Sequence, residues 1–294
     1  MKTVRVSAGS AVRLGLQSGK IDCLPTTIYL MTPGRCRAGC HFCSQLVSED
    51  RLSRVTWPEY PLEDVVSALH DERICLQCLN YGTVLSDVLE LTDWFTSHPI
   101  SVSAQPFSRD EIQSLSHRVD RIAINMDCAT PELFAKIKPY YNWEDHLSRL
   151  MEAVDIFGPF RVTSHLIGGL GETEEQMVNF MTFLYDHSIY SSLFAFTPIE
   201  GTPLAHLPRP SITYYRRLQV AHYCIYKGMG NFGFEHGKIK NLPQGVPPEA
   251  FMTRGCPGCN RPYYTETPRN PYNFPCKPTE DDMNIIGDQL TRCC

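Results

Sequence analysis

Between about residue 26 and residue 226, short apolar segments alternate with longer segments in which apolar residues recur every three or four positions. The short segments are typical of strands buried in a parallel sheet, and the longer ones of helices that pack one face against it. The helix predicted from residue 173 opens with a Thr173-x-x-Gln176 capping pattern. The predicted strands cover residues 26–31, 74–79, 100–104, 121–126, 160–167 and 193–197. The predicted helices cover residues 61–69, 85–95, 110–115, 146–156, 173–185 and 212–226, with another beginning at Thr130.

Six strands that alternate with helices imply parallel β/α units, whose crossovers are right-handed. Because six units are too few for a closed eight-stranded barrel, the predicted fold class is α/β, with an open, partial (β/α)6 barrel. We assign residues 1–25 to an N-terminal extension, residues 26–230 to the barrel core and residues 231–294 to a C-terminal segment. The last segment should be irregular, because Pro, Gly, Tyr, Asn and Cys dominate residues 241–278.

The cysteine content changes this picture, since the chain has 294 residues and 13 cysteines. A small disulfide-stapled fold is excluded, because a chain of this length buries a full core without covalent help. Arg5 and Arg13 interrupt the apolar stretch that a secretory signal needs, so we expect a cytoplasmic protein whose cysteines bind metal or act in catalysis. The net charge of −5 indicates no nucleic-acid partner, and no apolar run approaches the ~20 residues of a membrane-spanning helix.

The strongest motif is C-x3-C-x2-C, formed by Cys36, Cys40 and Cys43 directly after the first predicted strand. Three thiolates on one loop can each bind one iron of a [4Fe–4S] cluster, which leaves the fourth iron open to a cofactor or substrate. A zinc site with a distant fourth ligand is the alternative, but structural zinc normally takes four closed ligands in paired C-x2-C knuckles. The motif also follows a strand at the end where parallel β/α folds place their active sites.

With Phe42 just before its last cysteine, this motif resembles the signature of the radical S-adenosylmethionine (SAM) superfamily. The resemblance implies a partial (β/α)6 barrel and a cluster whose open iron chelates the amino and carboxylate groups of SAM. It also implies one-electron cleavage of SAM to methionine and a 5′-deoxyadenosyl radical, which removes a hydrogen atom from the substrate. The bound cofactors then carry the chemistry, and no catalytic side chain is predicted.

Three later segments resemble biotin synthase. Asn125-Met126-Asp127 resembles its Asn-x-Asp near the cofactor ribose, residues 166–173 its strand-five motif beside the adenine, and residues 196–205 its strand-six loop. The Gly-Gly-Glu that is common after the second strand is replaced by residues 80–83, Asn-Tyr-Gly-Thr, so the atoms that hold the methionine amino group stay open. The SAM-binding residues that the resemblance implies are Phe42, Asn80, Tyr81, Gly82, Asn125, Asp127, Ile167 and Gly169.

A second cysteine group lies near the C-terminus, where C-x2-C is followed by a third cysteine: Cys256, Cys259 and Cys276. Alone it would predict a zinc knuckle, but beside a radical SAM core it favours an auxiliary [4Fe–4S] cluster. The sequence does not identify the fourth ligand of this cluster. It could be Cys293, Cys294 or a side chain other than cysteine, or the fourth iron could have no protein ligand. The remaining cysteines are predicted to be packing residues, with the alternatives that Cys78 faces the barrel interior and that Cys128 touches the site: Cys23, Cys75, Cys78, Cys128 and Cys224.

Residues 7–16, 26–31, 52–58 and 255–262 resemble the two-component lipoyl synthases. This likeness implies sulfur insertion at unactivated carbons of a protein-bound octanoyl chain, with the auxiliary cluster as the sulfur donor. The implied partners are an octanoylated lipoyl carrier, a second radical SAM subunit and an electron donor such as ferredoxin or flavodoxin.

The alternatives are biotin-synthase-like chemistry on a small molecule, and a non-catalytic iron–sulfur subunit, against which the complete first motif argues. The last predicted helix carries a run of Tyr and Arg residues that we interpret as a solvated face: Tyr214, Tyr215, Arg216 and Arg217. From this face Arg216 and Arg217 could contact the acidic surface of a carrier protein.

Overall fold

The structure, a computed structural model, describes residues 1–291 and shows the predicted alternation of strands and helices. In chain order the strands are β1 (Thr3–Val6), β2 (Thr27–Met31), β3 (Arg51–Leu52), β4 (Val55–Thr56), β5 (Glu59–Pro61), β6 (Arg73–Gln77), β7 (Ile100–Ala104), β8 (Arg121–Ile124), β9 (Val162–Gly168), β10 (Ile189–Ala195), β11 (Phe234–Glu235) and β12 (Lys238–Ile239). The helices are α1 (Ala8–Arg13), α2 (Leu62–Ser67), α3 (Val84–Trp94), α4 (Arg109–Ser116), α5 (Pro131–Ile137), α6 (Trp143–Phe157), α7 (Glu174–Asp186), α8 (Ile212–Ile225) and α9 (Glu280–Thr291).

One eight-stranded sheet forms the core of the molecule, in the order β10-β9-β8-β7-β6-β2-β1-β5. The six strands from β10 to β2 are parallel neighbours, which confirms the predicted α/β fold class. β1 lies antiparallel between β2 and β5. In the register of β2 and β6, Tyr29 lies directly opposite Cys75.

The parallel strands are apolar because both of their faces are covered, and every residue of β2 and β7 is buried. Helices supply one cover. Helix α7, for example, buries Met177, Met181 and Leu184, which lie on one helical face. Its first turn carries the predicted capping box, in which Thr173 and Gln176 each accept a hydrogen bond from the other's backbone amide.

The first 25 residues contribute to the core sheet, because β1 pairs with β2 across the predicted boundary at residue 26. Val4 and Val6 of β1 are fully buried. Ser10 of α1 continues this contact, since its Oγ accepts a hydrogen bond from the amide of Tyr29 at 2.9 Å. Four residues carry too little alternation for a strand to be predicted from their pattern.

Helix α8 contradicts the prediction of a solvated face over residues 214–217, because Tyr215 and Arg216 are 0% and 1% exposed. The Arg216 guanidinium donates to the backbone carbonyls of Pro271, at 2.7 Å, and of Tyr272. A buried guanidinium is tolerated where carbonyl oxygens satisfy its donors. Arg216 therefore holds the C-terminal segment onto α8 instead of facing a partner.

The segment between β12 and α9 is irregular, as its composition predicted. It contains one 3-10 turn, Pro248–Phe251, and an isolated bridge between Met252 and Phe274. Helix α9 was not predicted, because only Ile286 among its side chains is buried and its apolar period is weak. Within residues 1–291, no helix combines the length and the apolar character needed to cross a bilayer.

Candidate functional site

A cavity of about 260 Å³ is lined by side chains from all six parallel strands and from the loops that follow most of them. The carboxyl ends of parallel strands are the usual position of sites in such folds, since the loops there vary without disturbing the sheet. A further wall comes from the irregular C-terminal segment, at residues 255–265.

This C-terminal wall spans the gap between the first and the last parallel strand. On one side the hydroxyl of Tyr29 in β2 lies 3.2 Å from Cys259 Sγ. On the other side the Arg261 guanidinium lies 3.7 Å from the ring centroid of Phe194 in β10. Because β2 and β10 end the parallel part of the sheet, the sheet curves until one short segment contacts both.

The loop after β2 brings the cysteines of the first motif to the cavity: Cys36, Cys40 and Cys43. Two backbone hydrogen bonds hold this loop. The Arg37 amide donates to the Asn80 carbonyl at 2.9 Å, and the His41 amide donates to the Ile137 carbonyl at 2.9 Å. The loop is therefore fixed to the segments that follow β6 and end α5, so its three thiols have defined positions.

The thiols of this loop fit an iron–sulfur cluster. Burial raises the pKa of Cys40 and of Cys43 to about 12, so a thiolate without a nearby positive charge is unstable there. Bound iron supplies that charge, and a coordinating thiol loses its proton outright. Among residues 1–291, no three His, Cys, Asp or Glu side chains converge for a single metal ion. A cluster makes a different demand, because each thiolate binds its own iron.

Asp127, at the end of β8, pairs with a lysine that no sequence motif indicated. Asp127 Oδ2 accepts a hydrogen bond from Lys138 Nζ at 2.8 Å, and the two side chains are 12% and 4% exposed. Burial raises the pKa of Asp127, while the Lys138 ammonium acts in the opposite direction. Lys138 also donates to the carbonyl of Asn125 and lies over the rings of Phe134 and Tyr141. Only the fold reveals this residue.

Asn125 lines the cavity and joins two neighbouring strands. Its Nδ2 donates to Ser103 Oγ at 2.9 Å, and its Oδ1 accepts from the His165 amide at 3.2 Å. Burial lowers the pKa of His165 to about 3, so that ring is neutral at physiological pH. Gln105 Oε1 and Thr163 Oγ1, on the same lining, are buried without a hydrogen-bond partner among the described residues. They offer polar contacts to a bound molecule.

The structure brings five of the eight predicted SAM-binding residues to the cavity: Phe42, Asn80, Asn125, Asp127 and Ile167. The other three lie outside its lining: Tyr81, Gly82 and Gly169. Tyr81 packs its ring against Gly34, where a Cβ would collide with it. Gly169 adopts φ +103° and its amide donates to Glu172 Oε1 at 2.6 Å. These two residues therefore shape the turns that follow β6 and β9.

Cys256 and Cys259 line the cavity on the C-terminal wall. A tight turn joins them, in which the Cys259 amide donates to the Cys256 carbonyl at 2.9 Å. Cys276 is not brought to them, because it forms a disulfide with Cys23, which had been predicted to be a packing residue. Two further candidates for the fourth ligand lie outside the described residues: Cys293 and Cys294.

Cys75 was predicted to be a packing residue, yet its side chain lies on the cavity. Burial raises its pKa well above the ordinary value, the thiols of Cys256 and Cys259 raise it further, and Arg261 acts in the opposite direction. A strand's alternation shows which residues share a face, but not which face borders a cavity. Cys78 also lines the cavity, whereas Cys128 and Cys224 are buried as predicted.

Comparison with known proteins places this geometry in a family. The sequence profile of the radical SAM superfamily matches residues 30–184. A biotin synthase from Cutibacterium acnes (strain DSM 16379 / KPA171202) is 28% identical over 187 residues, which cover 58% of this chain and 51% of that protein. The chain thus spans about half the length of this curated relative.

Two solved structures share the fold at low sequence identity. Methylornithine synthase (PylB) matches with a TM-score of 0.51 and 13% identity, over 70% of this chain and 60% of its own. HydG, a maturase of the [FeFe]-hydrogenase, matches with a TM-score of 0.54 and 12% identity, over 68% of this chain and 49% of its own. The profile covers more than half of the chain, including the cysteine loop, the end of β2 and the four parallel strands β6 to β9. The chain belongs to the radical SAM superfamily.

Proposed function

We propose that this protein inserts sulfur at unactivated carbons of a protein-bound octanoyl chain, the reaction that forms a lipoyl group. The observation that carries the proposal is a single cavity bordered by two separate cysteine groups: Cys36, Cys40 and Cys43 on one loop, and Cys256 and Cys259 on another. Forming a carbon–sulfur bond at such a carbon requires a hydrogen-abstracting agent and a sulfur source at the same carbon. One cavity between two cysteine groups meets that requirement.

When bound, the first [4Fe–4S] cluster with SAM supplies the hydrogen-abstracting agent, and a second [4Fe–4S] cluster supplies the sulfur. The residues of the chain hold and orient these groups. The loop cysteines would hold the first cluster, and Asn125 and Asp127 present oxygen atoms at the carboxyl end of β8, where they suit the hydroxyl groups of a ribose. The enclosing walls keep water from reactive species, which limits side reactions.

Much of the cavity lining is apolar, as an alkyl substrate requires. Its apolar contributors include Leu79, Val102, Ala104, Ile122 and Phe194. Burial of each CH₂ group against such a surface contributes about 0.8 kcal/mol. An octanoyl chain can therefore gain affinity from its length alone, while the carrier that bears it stays outside.

The choice of an octanoyl substrate is supported by the likeness of residues 7–16, 52–58 and 255–262 to two-component lipoyl synthases. By that likeness we propose three partners: an octanoylated lipoyl carrier, a second radical SAM subunit and an electron donor such as ferredoxin or flavodoxin. The second candidate function is biotin-synthase-like sulfur insertion into a small molecule, which the 28% identity to a biotin synthase favours.

The proposal is tested by anaerobic incubation of the reconstituted protein with SAM, a reductant and an octanoyl-lysine peptide, with and without a candidate second subunit. We expect 5′-deoxyadenosine and a peptide whose mass has increased by one or two sulfur atoms. Cys256→Ala should still release 5′-deoxyadenosine but leave the peptide unchanged, whereas Cys40→Ala should do neither.

Two outcomes would contradict the proposal. If no 5′-deoxyadenosine forms while the first cluster is intact, the chain is a non-catalytic partner subunit. If sulfur enters free octanamide but not the peptide, the small-molecule function is correct. The peptide and the free amide carry the same alkyl chain, so the comparison isolates the requirement for a carrier.

A further inference from the structure

The proposed sulfur-donating cluster needs a third cysteine besides Cys256 and Cys259, and Cys276 is not positioned to supply it. Cys276 is bonded to Cys23, and neither residue lines the cavity among residues 1–291. The Cys23 sulfur instead faces the side chain of Asn260, whose Nδ2 lies 3.6 Å away. A cluster that donates sulfur to a substrate in the cavity needs ligands that face the cavity, so the missing thiol has to come from elsewhere.

Tyr29 connects the C-terminal turn to strand β6. Its hydroxyl lies 3.2 Å from Cys259 Sγ and accepts a hydrogen bond from the Arg261 amide at 3.0 Å. In the β2–β6 ladder Tyr29 is directly opposite Cys75, and side chains opposite each other on neighbouring strands point to the same face. Cys75 therefore lies on the side of the sheet that the turn covers.

Packing agrees with this placement. Cys75 and Cys259 both contact one small buried cluster made of Tyr29, Met31, Trp57 and Leu79, as does Cys36 of the first cysteine loop. Cys75, Cys256 and Cys259 all line the cavity. The three cysteines thus line one cavity, although Cys75 and Cys256 are 181 positions apart in the sequence.

The geometry points to Cys75 as the third cysteine ligand of the auxiliary iron–sulfur cluster, with Cys256 and Cys259, in place of Cys276. This inference rests on the proposed function, which supplies the second cluster. It changes the ligand set from three residues of one irregular segment to two residues of that segment and one residue of the core sheet. The cluster would then join β6 to the C-terminal wall.

The electrostatic surroundings suit such a group. Three thiolates place negative charge in a buried space, and the Arg261 guanidinium lines the same cavity, where its positive charge offsets theirs. Gln77 Nε2 adds a donor at 3.1 Å from Cys75 Sγ. Each of these groups stabilises a thiolate, as iron ligation requires.

The test counts iron in a background that lacks the first cluster. The variant Cys36→Ala/Cys40→Ala/Cys43→Ala, reconstituted anaerobically as the full chain, should retain about four irons and an equal amount of sulfide per chain. Adding Cys75→Ala should remove this iron and the Mössbauer signal of the cluster. Adding Cys276→Ala should leave both unchanged.

Cys78→Ala in the same background is the matched control. Cys78 follows the same strand and also lines the cavity, but it packs against the main core and not against the Tyr29 cluster that Cys75 and Cys259 contact. Its removal should leave iron and sulfide unchanged. Because Cys75→Ala could also disturb packing, Cys75→Ser, which preserves shape, should lose the iron while its circular dichroism matches that of the parent.

Each result decides between the possibilities. If Cys276→Ala loses the iron and Cys75→Ala keeps it, the inference is wrong and the second cluster of the proposed function stands. If the Cys75→Ala and Cys276→Ala variants both lose the iron, then Cys75 is a ligand, but the inference that Cys276 is not a ligand is wrong. If the triple variant binds zinc in place of iron, or no metal at all, then the second cluster itself fails, and with it the sulfur-donating part of the proposed function.

Discussion

At the residue scale, Asp127 combines an unusual backbone with a buried charge. Its φ is +62°, in the left-handed region that Asp and Asn adopt more readily than other non-glycine residues. The carboxylate meets Lys138 in a nearly dry environment. A buried ion pair adds little net stability, but removing one partner leaves the other charge uncompensated. The pair therefore acts mainly to hold the end of β8 in one position at the cavity.

We predict that Lys138→Met destabilises the protein by about 3–5 kcal/mol, because the Asp127 carboxylate is then buried without a cation. Urea unfolding of the anaerobically prepared protein measures the loss. Adding Asp127→Asn should restore most of the stability, since Asn tolerates the same backbone conformation without the charge.

The matched control is Lys136→Met, in the last turn of α5, two residues before Lys138 and exposed, which should change the unfolding free energy by less than about 0.5 kcal/mol. A loss below 1 kcal/mol for Lys138→Met would show that water reaches the carboxylate in solution. Asp127 could be identified from its resemblance to a motif, whereas Lys138 could not. It follows α5, and only the packing of α5 on the end of β8 makes it part of the site.

At the scale of one element, α8 shows that apolar periodicity can predict a helix without showing which of its polar side chains are buried. The pattern predicted this helix correctly, but its Tyr, Arg and His side chains each have an apolar body and a polar tip. Such residues suit a surface or a polar interior equally well. His222 is an example: it is 1% exposed, and its Nε2 donates to the Ser191 carbonyl at 2.8 Å.

Burial lowers the pKa of His222 from 6.5 to about 3, which makes the fold sensitive to acid. Between these values the unfolded chain binds a proton that the folded chain does not, so stability falls as the pH falls below about 6.5. From pH 6.5 to about 5.5, one such histidine costs about 1 kcal/mol. We predict that His222→Gln removes that share of the pH dependence, measured by urea unfolding at both pH values.

His206→Gln is the control for this experiment, because His206 is exposed. Its pH dependence should match that of the wild type. The variant at position 222 is expected to be less stable at neutral pH, so the informative quantity is the difference between the two pH values. An unchanged difference would mean that His222 is protonated in the folded state.

At the scale of the whole molecule, the local pattern was sufficient to predict six parallel strands but not the wall that completes their cavity. Each strand and helix carries its own periodicity, and the crossover rule then limits the topology. The contact between Tyr29 and Cys259 joins residues 230 positions apart and depends on irregular backbone. No periodicity encodes such a contact, so the sequence alone groups Cys276 with Cys256 and Cys259 and gives no sign that Cys75 borders the same cavity.

We predict that anaerobic removal of iron with a chelator loosens two segments together: residues 36–45 and residues 255–265. Ligation contributes folding free energy, so both segments should exchange backbone hydrogens faster in the iron-free protein, as measured by mass spectrometry. Peptides from α6 should be unaffected, because that helix contains no cysteine. Unchanged exchange over residues 255–265 would argue against metal at the C-terminal wall.

The position of the C-terminal wall in the sequence has a consequence for synthesis on the ribosome. The cysteine loop and β6 emerge early, and residues 255–265 emerge roughly 200 residues later, about 10–40 s at ordinary rates of translation. During that interval the thiols of the loop and of Cys75 have no cover on that side and are open to oxidants. The nascent chain therefore exposes these thiols until residues 255–265 have been synthesised, and any cluster that needs Cys256 and Cys259 can form only after that point.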